Sequence, residues 1–69
     1  SGRSVSMQWE MFKSVLLEFG VPSNRLESYF YLYEEFEDRY SNANYSSEKY
    51  LALIKLFVAR KFGAYVNVK

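Results

Sequence analysis

The residues able to do chemistry are few, and their types narrow the field at once. The chain has no histidine and no cysteine, so the usual general base and the thiolate nucleophile are both missing. Zinc would have to be held by carboxylates alone, an unusual donor set, and neither a metal nor a cofactor is expected. The carboxylates come as adjacent pairs, Glu34-Glu35 and Glu37-Asp38. Neighbours on a helix diverge by about 100° and do not converge on one substrate. Glu34 and Asp38 do share a face, which reads as a solvated acidic surface. The serines fall at helix starts and turns, where capping accounts for them. The glycines are isolated, so no loop cradles a phosphate. A chain of 69 residues also has little room for a water-excluding pocket. The expectation is a protein that is not an enzyme and takes no small-molecule substrate.

What remains is surface for recognition. Tyr31 projects from the middle of the acidic face formed by Glu27, Glu34, Glu35 and Asp38, and tyrosine is enriched where proteins bind one another. A basic set lies later, at Lys49, Lys55, Arg60 and Lys61, opposed there by Glu48. Tyr31, Glu34, Glu35, Asp38, Lys55, Arg60 and Lys61 are the candidate contacts for a protein partner. Asn44, Lys49, Lys55, Arg60 and Lys61 are the candidates if the partner is nucleic acid, touching its phosphates. A net charge of +1 argues against coating DNA with the whole surface. A protein partner or self-association is therefore the first expectation, with DNA binding through the basic face of the third helix as the alternative.

These residues need elements to hold them. The 45–63 stretch reads as the principal helix. Tyr50, Leu51, Leu53, Ile54, Phe57, Val58, Phe62 and Tyr65 fill an arc wider than a surface helix needs. Such an arc implies two neighbours and a central place in the packing. Ser46 or Ser47 suits its N-cap, Arg60 and Lys61 suit the negative end of its dipole, and Gly63 suits the left-handed position just past its end. Val5, Trp9, Phe12, Leu16 and Phe19 fall on one face of an earlier helix, started by Ser4 or Ser6 and closed by Gly20-Val21-Pro22. Met7 and Leu17 lie off that stripe. A second helix is expected from Ser23 or Asn24 to about Ser41, opened by an Asn24/Glu27 capping box. Its buried arc is Leu26, Tyr29, Phe30, Leu32, Tyr33, Phe36 and Tyr40.

The fold class expected is thus all-α, a small three-helix bundle with short connections and an aromatic-rich core. The chain carries seven Tyr, six Phe and one Trp. Their large buried areas replace the disulfides that a short chain often needs. Residues 5–66 form the expected domain, with 1–4 as a disordered lead and 67–69 as a frayed tail. No apolar run of about 18 residues is present, so no membrane span is expected. Lack of cysteine suits an intracellular setting, cytoplasmic or nuclear.

Ser46, Tyr50, Ile54 and Phe57 together resemble the S/T-x3-Y-x3-L-x2-F pattern in the helical core-binding domain of tyrosine recombinases. The resemblance covers one short stretch and implies contact with DNA. The acidic second helix departs from that family's basic surroundings.

Overall fold

The computed structural model describes residues 5–40 and 44–63, with side chains from Met7 onward. The expected lead at 1–4, the turn residues 41–43, Tyr65 and the tail lie outside the described residues, as does the side chain of Val5. The described residues form three α-helices and one 3-10 helix: α1 (Val5–Glu18), the 3-10 segment (Ser23–Tyr29), α2 (Phe30–Tyr40) and α3 (Ser47–Gly63). No strand occurs among the described residues.

The end of α1 follows directly from its glycine. Gly20 has φ 97°, a left-handed conformation that L side chains rarely adopt. It allows the Gly20 N–H to donate to Leu17 O at 3.0 Å and the Val21 N–H to donate to Leu16 O at 3.0 Å. That pair of bonds is the Schellman arrangement, and its usual apolar contact has its counterpart here in the burial of both Leu16 and Val21. The Leu16 and Leu17 carbonyls at the end of α1 are thereby satisfied.

The second element differs from its expected form. Ser23–Tyr29 is a 3-10 helix, and α2 begins only at Phe30. The N-cap is Pro22, with no side-chain cap bond, so the Asn24/Glu27 capping box does not form. Arg25 N–H donates to Pro22 O at 2.9 Å, closing a three-residue turn. The composition explains the tighter winding. Between Ser23 and Tyr29 the apolar side chains are Leu26 and Tyr29 alone. A 3-10 helix repeats every three residues, so it aligns these two toward the core. It also changes the phase at which α2 begins. Phe30, expected inside, is left 38% exposed. Phe19, expected on the buried stripe of α1, is likewise 41% exposed, because it lies beyond the last residue of that helix.

The core has an aromatic centre. The ring centroids of Phe12 and Phe36 are 5.8 Å apart, those of Phe36 and Phe57 5.3 Å, and those of Phe12 and Phe57 6.3 Å. One residue from each α-helix thus meets at a single point, in the tilted and edge-on geometries that ring quadrupoles favour. Trp9 extends the cluster outward, 4.9 Å from Phe30 and 5.4 Å from Tyr33. Tyr50 and Tyr40 extend it the other way, against Phe36. Phe36 therefore shares the central place expected of α3 alone. Around the rings, Val15, Leu16, Ile54 and Val58 are sealed from water.

At the start of α3, Ser46 Oγ accepts the Lys49 N–H at 3.2 Å, the standard side-chain cap. Glu48 stands in the first turn, with Arg60 and Lys61 in the last, each complementing the dipole. Gly63 is the last residue within the helix rather than the first beyond it.

Candidate functional site

The helix faces divide the adjacent carboxylates. On α2, Glu34 and Asp38 point to solvent beside Tyr31, which is 62% exposed. Neither carboxylate has an ion-pair partner among the described residues. Glu35 turns toward α3, where its Oε2 lies 2.8 Å from Lys61 Nζ and 3.6 Å from Arg39. Glu37 also faces α3, near that helix's other end, where it accepts a hydrogen bond from the Tyr50 hydroxyl. The two carboxylates within each pair thus take separate roles, as helical geometry requires. Glu35 leaves the acidic face that sequence spacing assigns it and becomes part of the α2–α3 seam.

Tyr33 and Tyr50 are buried, with polar ends directed to specific partners. The Tyr33 hydroxyl donates to Gln8 Oε1 at 3.3 Å. Its pKa is pushed up to about 12 by burial and, secondarily, by the charge of Glu37. Burial disfavours the charged phenolate, so the neutral phenol is kept as a hydrogen-bond donor to Gln8. Among the described residues no cluster of acidic side chains could hold a metal ion, and no helix is long and apolar enough to cross a membrane.

The basic candidates do not share one face. Lys55 lies toward α1, its Nζ 4.0 Å from Glu18. Lys61 lies toward α2, paired with Glu35. Lys49 reaches back over the ring of Tyr45, 5.9 Å from its centroid, while Asn44 is exposed just before it. Arg60 makes no ion pair among the described residues. The exposed pairs contribute little to stability, well under about 1 kcal/mol each, but they do determine where each charge points.

Sequence spacing missed a groove along the α2–α3 seam. It has a volume of about 300 Å³ and is lined by Arg39, Tyr40, Leu53, Leu56, Phe57, Arg60 and Lys61. Arg39 and Lys61 stand over the ring of Phe57, at 6.0 and 5.4 Å from its centroid, within reach of a cation–π interaction. Leu56 is 58% exposed at its edge. One sequence signal could have revealed it: Leu56 falls on the polar side of the helical wheel with Ala52 and Ala59 beside it.

No protein-family model, curated protein or solved structure matches this chain. The similarity to the recombinase pattern rests on four positions whose roles are now visible: Ser46 caps α3, and Tyr50, Ile54 and Phe57 are buried. Capping and core packing suffice to explain that spacing.

Proposed function

We propose that the chain is a non-catalytic three-helix bundle that recognises other proteins. The observation that carries this reading is the outer face of α2. There a tyrosine stands 62% exposed beside the unpaired carboxylates of Glu34 and Asp38. Tyrosine offers a large contact area with a polar end at little rotamer cost, and such residues dominate binding energies when a polar rim surrounds them. No packing role holds Tyr31 at this position, and its replacement should leave the core intact. The reading suits an intracellular protein, consistent with a chain free of cysteine.

DNA binding through α3 is the second reading, supported by the exposure of Asn44, Lys49 and Arg60. It is the weaker of the two because Lys55 and Lys61 are engaged on opposite flanks of the helix, and a duplex needs several cations on one track. The test has two arms. Immobilised wild-type chain and Tyr31→Ala, shown by circular dichroism to melt alike, are compared for proteins retained from solution. A partner held by the wild type and lost with the variant supports the reading; equal retention removes Tyr31 from it. In the second arm, a mixed-sequence duplex is titrated against the amide spectrum at low and moderate salt. Salt-sensitive shifts centred on Lys49, Lys55 and Arg60 would favour DNA instead.

A further inference from the structure

The α2–α3 groove has the chemistry of a ligand site that the Tyr31 face does not explain. Its apolar lining is Tyr40, Leu53 and Phe57, with the exposed Leu56 at its edge, and its rim is cationic, made by Arg39, Arg60 and Lys61. No carboxylate among the described residues lines it. Glu35 stands behind the rim and is shared between Arg39 and Lys61, so one negative charge faces three positive ones. Arg60 is unpaired among the described residues. A volume of about 300 Å³ is enough for one bulky side chain with its flanks. Along the same side of α3, the exposed Ala52 and the half-buried Ala59 bracket Leu56. Small residues there would let a second helix approach closely, with Leu56 as a ridge between them.

We propose that this groove binds an acidic amphipathic helix from another protein. One leucine or aromatic side chain of that helix enters between Tyr40 and Leu56, and its flanking carboxylates meet Arg39, Arg60 and Lys61. Charge complementarity selects this occupant. A basic helix would add like charge to a rim that already sets three cations against one carboxylate, and a neutral helix would leave Arg60 unmatched. Nucleic acid would place phosphates on the rim but leave the apolar lining without a partner. The proposal rests on the protein-binding reading, but it places the contact at a surface separate from Tyr31.

The probes are two synthetic peptides of equal length and helicity, each with leucine and phenylalanine at i, i+4 and i+7 on one face. One carries glutamates on the flanks and the other lysines. Each is titrated into the full chain and followed by amide shifts. The glutamate peptide is expected to shift Tyr40, Leu53, Leu56 and Arg60, and to bind at least about tenfold more tightly than the lysine peptide. Leu56→Gln and Arg60→Glu should each weaken it by about tenfold, whereas Tyr31→Ala should leave it unchanged. Both groove positions are exposed, and a thermal melt of each variant confirms that the fold survives. Equal binding of the two peptides, shifts centred away from the groove, or indifference to both substitutions would overturn the proposal. So would concentration-dependent dimerisation abolished by Leu56→Gln, because the occupant would then be a second copy. If Tyr31→Ala retains the same proteins as the wild type while the peptide results hold, the groove proposal stands and the role of the acidic face falls.

Discussion

Ile54 and Leu56 stand on the same helix with one residue between them, and their surroundings are opposite. Ile54 is sealed at 0% exposure, whereas Leu56 is 58% exposed. Both are branched aliphatic residues of equal size. The difference lies in what faces them. The inner side of α3 meets rings from α1 and α2, with Phe57 at the joint of Phe12 and Phe36. Among the described residues, the outer side around Leu56 faces a groove whose cationic rim is Arg39 from α2 with Arg60 and Lys61 of α3 itself. The lesson is that an apolar residue on a short helix has two possible destinations. Sequence periodicity identifies the first, and the second appears only when the neighbours are in place.

That contrast between inner and outer side can be broken in several ways. The largest effect is expected from Phe57→Ala, which opens a cavity where all three helices meet. Large-to-small changes of this kind cost about 3–5 kcal/mol, so urea unfolding should show a severe loss or no cooperative transition. A loss below about 1 kcal/mol would mean that the rings do not form the joint described.

The next effect concerns pH. The Tyr33 pKa is raised from 10.0 to about 12 in the folded chain. The folded state therefore holds this proton more tightly than the unfolded state. Its contribution to stability is fully present below pH 10 and is lost as pH rises toward 12. Thermal midpoints measured across that window should fall, and Tyr33→Phe should make the fall shallower. An unchanged slope in the variant would assign the alkaline sensitivity elsewhere.

A smaller effect separates the two helix starts. Ser46→Ala removes a formed cap and should cost about 1 kcal/mol. Asn24→Ala sits where no side-chain cap bond is made, and its melt should match the wild type within about 0.5 kcal/mol. Equal losses would show that the 3-10 start is capped in solution. The smallest effect sharpens the difference between Ile54 and Leu56. Leu56→Gln should change stability by no more than about 0.5 kcal/mol, since its side chain is mainly in water. A loss comparable with that of Phe57→Ala would make the outer side of α3 part of the core.

Much of this was legible in the residues. The stripe Phe12, Leu16 with Val15, the arc Tyr50, Ile54, Phe57 and Val58, the stop at Gly20 and the cap at Ser46 all follow from spacing and local hydrogen bonding. So does the exposure of Tyr31, Glu34 and Asp38. The winding of 23–29 was not legible, because Leu26 and Tyr29 fit a period of three as well as one of 3.6. Neither was the groove, whose lining comes from two helices, so the periodicity of neither one shows it. The direction of Glu35, Lys55 and Lys61 was undecided for the same reason.

The sequence alone determined that the chain is helical and rich in rings, and that it lacks the side chains of histidine or cysteine chemistry. Apolar periodicity and capping act over a few residues, so they can be read locally. Tertiary structure decided which faces of those helices are covered, which charges are matched and where an apolar surface remains open. These depend on the opposing element, and a side chain's own position in the sequence does not specify what will face it.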